Sequence, residues 1–284
     1  MKLGIDLGGT KIETIVLQDN GQEIWRERRS TPAGCYDDIV KCIIDMVLFA
    51  EHKTASQASL GFGIPGSISE KTNLVRNSNT VVLNGKPFQS DIEGALNRKV
   101  RIENDANCFA LSEALDGAGK GDFSVFGVIL GTGCGGGLIF NNAIWHGHNN
   151  LAGEWGHNPL PWPTDNEILG PRCYCGKQGC IETFLSGPAL TESHKAMTGK
   201  KIEAIDIVKC EDRESAKSLS LYCDRLARSL ASVINLVDPS CIILGGGLSN
   251  YERLYECLPT LISQYVFGES FNTPIRKNVH GDSS

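Results

Sequence analysis

The chain has no apolar run long enough to span a membrane, and no basic, apolar and small-residue leader follows Met1, so neither insertion nor secretion is expected. It also lacks a basic surplus. The 27 lysines and arginines against 33 aspartates and glutamates leave a net charge of -6, and the cations are scattered along the chain. That argues against nucleic acid or an anionic membrane as the main partner, although a local cradle of backbone N–H groups could still take a small polyanion. No G-x-x-x-x-G-K-[ST] loop occurs and no G-x-G-x-x-G lies between strand and helix, which excludes the common P-loop and dinucleotide sites. The absence of G-x-S-x-G, and of any conspicuous Ser/His/Asp set, speaks against serine-hydrolase chemistry. An odd count of 11 cysteines argues against a complete disulfide framework and points to a cytoplasmic chain.

What is present suggests an α/β protein of two lobes, since 284 residues exceed one compact core. KLGIDLGGTKIETIVLQDNGQEIWRERRS reads as three strands of an antiparallel meander joined by a glycine turn and an Asp-Asn-Gly turn. CYDDIVKCIIDMVLFAEH follows with helical spacing through Ile39, Cys42, Ile43, Met46 and Phe49. KVRIEND is a strand ending at Asn104 and Asp105, with a helix from about Ala106 to Leu115. GDFSVFGVILGTGCGGGLIFNNAIW then repeats the opening plan, which suggests an internal duplication. The boundary is placed in DGAGKG, giving lobes of residues 1–117 and 118–284. Ala216, Leu219, Cys223, Leu226, Leu230, Val233 and Val237 form an apolar helical stripe that reads as core and ends at Asp238-Pro239. YERLYECLPTLISQYVF reads as a closing helix kinked at Pro259, and the HGDSS ending resembles the start of a further element.

Three glycine turns follow apolar strands: Gly8-Gly9-Thr10, Gly131-Thr132-Gly133 with Gly135 to Gly137 behind it, and Gly245-Gly246-Gly247. Any one of them could be a tight hairpin, but three together, two in a duplicated frame, favour phosphate cradles of bare backbone N–H groups. Asp105, past a strand end and at a helix start, reads either as an N-cap or as a general base accepting an alcohol proton. Asn104 beside it could hold the same substrate. Asp6 is placed to approach a phosphate-bound Mg²⁺ through water. His157, Cys173, Cys175 and Cys180 supply a Cys₃His set that saturates a tetrahedral Zn²⁺, with Gly176 and Gly179 freeing the backbone to wrap an ion. Such a site is structural and leaves no open position for activated water. Glu154 and Glu182 flank it, either as surface carboxylates or as acceptors for sugar hydroxyls.

GIDLGGTK, GIPG, ENDANC, LGTGCGGG, GEWGH, C-x-C-G-x-x-G-C-x-E and ILGGG, in this order, resemble the ROK family of bacterial sugar kinases (repressor, open reading frame, kinase) over nearly the whole chain. The resemblance implies the actin-like ATPase/hexokinase (ribonuclease H-like) fold, with ATP and sugar in an interlobe cleft whose closure excludes water. It implies that Asp105 is the catalytic base and that Asn104, Glu154, His157, Glu182 and, more weakly, Gly66 and Asn79 contact sugar. It also implies that Gly4, Asp6, Gly8, Gly9, Thr10, Lys11, Gly131, Thr132, Gly133, Gly245, Gly246 and Gly247 serve ATP and Mg²⁺, and that the Cys₃His set holds structural Zn²⁺. GEWGHNPLPW and CYCGKQGCIETF look most like the fructokinases, so phosphorylation of D-fructose to fructose 6-phosphate is expected. N-acetylglucosamine kinase, glucokinase and mannokinase are the alternatives, and a homodimer is expected by analogy. Val81-Val82 stand where many relatives carry a tryptophan, and relatives continue past HGDSS with a small-residue-rich helix. A sugar-sensing repressor would need a helix-turn-helix before Gly4, and an actin-type structural ATPase would not need Glu154, Glu182 and a metal clamp.

Overall fold

The computed structural model describes residues 1–32, 34–268 and 271–280. It resolves into two compact units, residues 1–108 and 109–284. The first opens with β1 (Lys2–Leu7), β2 (Lys11–Leu17) and β3 (Glu23–Ser30), the antiparallel meander expected from period-two alternation. Leu3, Ile5, Leu7, Ile12 and Val16 point into its core. Helix α1 (Tyr36–Thr54) buries Ile39, Ile43, Met46, Val47 and Ala50. Phe49 leaves the expected stripe and instead sits 5.9 Å from the Trp25 ring. After β4 (Ser59–Ile64), the short pair β5 (Ser67–Ile68) and β6 (Val75–Arg76), and α2 (Phe88–Leu96), the chain enters β7 (Arg101–Asn104). The sheet order is β3-β2-β1-β4-β7, with β4 parallel to β1 and β7 parallel to β4.

Helix α3 (Asp105–Leu115) begins in the first unit and continues into the second, so the division falls inside it, ahead of the DGAGKG turn to which the sequence assigned the boundary. Glu113 on this helix is fully buried, and its carboxylate accepts N–H bonds from Ala118 (2.8 Å), Val279 (2.9 Å) and His280 (2.8 Å). Backbone donors therefore satisfy a charge that would otherwise be costly in the core. Residues 281–284, the end of the HGDSS segment, lie outside the described residues.

The second unit repeats the first. β8 (Ser124–Leu130), β9 (Cys134–Phe140) and β10 (Ala143–Ile144) form the meander. Asn141 and Asn142 both take positive φ (49° and 59°) at the turn, as a two-residue hairpin demands. Then come α4 (Glu182–Leu185), α5 (Gly187–Thr198), α6 (Ala204–Lys209), α7 (Arg213–Val237), β11 (Cys241–Gly245), α8 (Arg253–Ile262) and β12 (Ile275–Lys277). The order β10-β9-β8-β11-β12, with β11 parallel to β8 and β12 parallel to β11, matches the first sheet strand for strand. This doubled plan is the actin-like ATPase and hexokinase fold. Among the described residues no helix is long and apolar enough to cross a membrane.

Two helices differ from expectation in their details. The α7 stripe is core from Leu219 to Leu230, but Ala216 is exposed and Ile234 takes over at the far end. Spacings of three and four average 3.5, whereas a straight helix turns every 3.6 residues, so a strict stripe drifts off the buried face over this length. Helix α8 stops at Ile262 instead of running through Phe267, one turn past Pro259, whose ring removes a backbone donor.

Candidate functional site

In the first unit the carboxyl ends of β1, β4 and β7 lie side by side, the usual position for ligands in a parallel sheet. The turn after β1 is tied at both sides. Gly8 N–H donates to Lys11 O (2.9 Å), and Thr31 donates from its hydroxyl to Gly8 O (2.7 Å) and from its N–H to Thr10 O (3.0 Å). A Cβ on Gly8 would stand 3.0 Å from the Lys11 carbonyl, so a side chain there would crowd the turn. Gly4 does not join it, for it lies within β1 opposite Ile15.

Asn104 ends β7 and caps α3. Its Oδ1 accepts the N–H groups of Ala106 (3.0 Å) and Asn107 (3.2 Å), and its Nδ2 donates to Gly66 O (3.0 Å). Because Asn104 takes the capping role, Asp105 is the first helical residue, and its Oδ1 accepts the Ala106 N–H at 2.8 Å. Gly66 has φ +82°, and a Cβ there would stand 2.4 Å from Arg76 O, so only glycine lets the two loops touch. Asn79 is exposed in the loop beyond, next to Ser78, whose hydroxyl accepts the Thr80 N–H at 3.1 Å.

Asp6 and Asp105 share the floor of this region. A Cβ at Gly63 would lie 3.8 Å from Asp105 Cα and 3.9 Å from Asp6 Oδ1. Burial, then the Asp105 and Glu13 carboxylates, push Asp6 up to about 7 against the pull of Lys11 and Arg28. Asp6 would hold Mg²⁺, directly or through water, and the cation would neutralise phosphate charge there.

In the second unit the Gly131 N–H donates to Gly133 O (3.0 Å) across the second turn, and the Gly187 N–H at the start of α5 donates to Gly131 O (2.7 Å). The glycines behind this turn do something the sequence reading missed. Gly136 lies in β9 under the GEWGH loop, where a Cβ would stand 2.7 Å from Trp155 Cδ1 and 2.8 Å from Gly153 O. A Cβ on Gly153, at φ +90°, would meet Gly136 O at 2.3 Å, and one on Gly156 would meet Cys134 O at 2.2 Å. The Trp155 indole donates to Gly135 O at 2.9 Å. Gly136 therefore makes room for a loop that lies on the strand and carries Glu154 and His157. Glu182, first residue of α4, accepts the Cys134 N–H at 2.9 Å on the same strand. Gly245 and Gly246 are also packing positions, since Cβ atoms there would press on the Phe109 ring at 2.5 Å and on Leu130 O at 2.5 Å, while Gly247 meets nothing.

His157, Cys173, Cys175 and Cys180 converge with their ligand atoms within 4.8 Å of one another. Cys173 Sγ lies 3.5 Å from His157 Nδ1, and Cys175 Sγ lies 3.6 Å from Cys180 Sγ. A zinc ion at ~2.3 Å from sulfur defines tetrahedral edges of about 3.8 Å, so the four donors fit such an ion. Gly176 and Gly179, at φ +87° and +72°, make the turns that bring them together. The ion would crosslink the loop and bind thiolates, reversing the burial that pushes the Cys180 thiol up to about 12.

Two further features gave no sequence signal. Tyr174, between the cysteines, places its hydroxyl 3.1 Å from His157 Nε2 with its ring edge-on to the imidazole at 5.2 Å. Arg228, 1% exposed, donates to the carbonyls of Pro161 (3.1 Å) and Trp162 (2.7 Å) and pairs with Glu167. Burial opposes the charge on Glu167, but hydrogen bonds led by Arg228 hold its carboxyl down to about 2. The network anchors the segment after the GEWGH loop to α7.

The sequence pattern of the ROK family matches residues 2–284. An N-acetyl-D-glucosamine kinase of Histophilus somni is 38% identical over the whole chain and 95% of its own length. One of Pasteurella multocida is 38% identical, with 96% of its length covered. Among solved structures, a ROK family glucokinase from Streptomyces griseus in complex with glucose and AMPPNP has a TM-score of 0.85 at 27% identity, over 99% of this chain and 95% of that one. These curated relatives bear the name that the sequence reading held as an alternative to fructokinase.

Proposed function

The chain belongs to the ROK family and is a sugar kinase of that type, and from this premise we propose that it transfers the γ-phosphoryl group of ATP to N-acetyl-D-glucosamine. The relatives named for that sugar, at 38% identity across the chain, carry the choice of substrate. The place of Asp105 at the first position of α3, beside Asp6 at the ends of the parallel strands, supports the choice of base. In this reading the Asp105 carboxylate accepts the proton of the attacking sugar hydroxyl as its oxygen bonds to phosphorus, a role worth about 10²–10⁴ in rate. Asn104 sets the helix start that presents Asp105, and Gly66, tied to Asn104, and Asn79 border the sugar. The turns at Gly8 to Lys11 and Gly131 to Gly133 offer backbone N–H groups to phosphates, Asp6 faces the cation, and Gly247 lies by the nucleoside. Glu154 and Glu182 accept from sugar hydroxyls, and His157 works from a loop clamped by zinc.

Fructose is the second reading, because GEWGHNPLPW and CYCGKQGCIETF keep the wording of fructokinases. An ATP-coupled assay across N-acetylglucosamine, fructose, glucose and mannose decides. The highest kcat/KM is expected for N-acetylglucosamine, and a tenfold preference for fructose would transfer the assignment.

A further inference from the structure

The start of α3 is held by more than its cap. Glu103, the last residue but one of β7, turns its carboxylate onto the helix that follows. Its Oε1 accepts the N–H of Asn104 at 2.8 Å and the side-chain Nδ2 of Asn107 at 2.9 Å. One oxygen therefore joins the residue before Asp105 to the residue two positions after it. Asn107 also gives its own N–H to Asn104 Oδ1 at 3.2 Å, which closes a ring of hydrogen bonds from Glu103 to Asn104 to Asn107 across the junction that carries Asp105.

Neither packing nor capping accounts for these two side chains. Asn107 is only 7% exposed, and among the described residues its Oδ1 is buried with no hydrogen-bond partner. A buried amide with an unmet acceptor lowers stability, whereas an apolar residue at the same place would leave nothing unmet. Facing a carboxylate oxygen, the amide presents Nδ2 and turns Oδ1 away, so the bond to Glu103 is what the side chain secures there. Glu103 is not needed to cap the helix either, since Asn104 Oδ1 already accepts the N–H groups of Ala106 and Asn107. What the ring does fix is the peptide at which the strand becomes a helix, and Asp105 leaves the chain at that point.

We infer that Glu103, held by Asn107, is a positioning residue: it fixes the junction of β7 and α3 and, through it, the direction in which Asp105 presents its carboxylate. The inference rests on Asp105 as the base proposed above and on no particular hexose. Its effect passes through Asp105, so its loss is felt in the chemical step and not in sugar binding, for which Glu154, Glu182 and His157 remain in place.

The test uses whichever hexose the wild type phosphorylates fastest. Glu103→Ala should lower kcat about ten- to hundredfold, the order expected for a base displaced by about 1 Å, while the sugar Kd and the KM for ATP stay within about threefold. Glu103→Gln keeps an Oε1 acceptor for both donors and should hold kcat within about threefold of wild type. Asn107→Asp meets Oε1 with an acceptor in place of a donor and should behave like Glu103→Ala. In an Asp105→Asn background Glu103→Ala should lower kcat no further, because no base is left to position. A loss that persists in full beside Asp105→Asn overturns the inference, as does one shared equally by Glu103→Gln or one that appears in the sugar Kd instead of kcat. Should Glu103→Ala fail to fold, the same contrast is read between Glu103→Gln and Asn107→Asp. An Asp105→Asn protein within about tenfold of wild type would overturn the base itself. The expected loss in Asp105→Asn beside an unchanged kcat in Glu103→Ala would overturn only the positioning role.

Discussion

The two units repeat one meander, and the residues opposite one another in it show how the copies diverged. On β1 and β2 the cross-strand partners are Asp6 and Glu13; on β8 and β9 the residues at the matching place are Ile129 and Gly135. The first copy therefore gathers carboxylates, with Asp105 beside Asp6 and with Glu13, only 6% exposed, paired to Arg26 and Arg28. The second leaves its strand bare at Gly136, so that a loop can lie on it there and carry Glu154 and His157. In the proposed reading one frame serves proton transfer and the cation and the other holds the sugar, and the same topology permits both because strand ends and loops can vary without disturbing the sheet.

The sharpest way to break this comparison is at Asp105. Asp105→Asn should lower kcat by about 10²–10⁴ while the sugar Kd, measured by calorimetry, stays within about twofold. If kcat were within tenfold of wild type, proton acceptance would have to be moved out of the first copy altogether.

The glycines allow a test of intermediate size. Gly136→Ala places a methyl against Trp155 and the Gly153 carbonyl and should cost about 1–3 kcal/mol in denaturant unfolding, with weaker sugar binding as the GEWGH loop lifts. Gly61, in β4 of the first copy, has nothing within 4 Å of its Cβ position, so Gly61→Ala should stay within about 0.5 kcal/mol of wild type. Equal losses at both sites would remove the distinction between a strand cleared for a loop and one that is merely glycine-containing.

That contrast also marks what could be read from the sequence. Strand alternation, the Asn141-Asn142 turn and the cysteine spacing are local signals, and the meanders, the duplicated sheets and the Cys₃His cluster follow from them. The role of Gly136 was not legible, because a glycine at a strand start looks the same whether it faces phosphate or a tryptophan nineteen positions away. Nor could the sequence decide whether Asn104 or Asp105 caps α3, since both residue types are favoured there and only the hydrogen bonds of Asn104 separate them. Tyr174 and Arg228 were missed for a related reason: their partners, His157 on one side and Pro161, Trp162 and Glu167 on the other, are joined to them by folding alone.

A pH-dependent test falls on Asp6, whose counterpart Ile129 cannot titrate. Its carboxyl is raised from 3.8 to about 7 in the folded protein, by burial first and then by Asp105 and Glu13. A raised acid holds its proton in the folded chain after the unfolded chain has released it, so folding is favoured at low pH and that contribution fades as pH rises. It is fully present below about 3.8, is lost progressively up to about 7 and changes no further above that. Asp6→Asn keeps the shape of the side chain and removes the titration. In nucleotide-free and Mg²⁺-free protein, the unfolding midpoint of the wild type should therefore fall relative to Asp6→Asn between about pH 4 and pH 7, then run parallel to it at higher pH. A difference that is flat across that window would mean that Asp6 is already ionised beside Asp105, with Lys11 and Arg28 outweighing burial in the first copy.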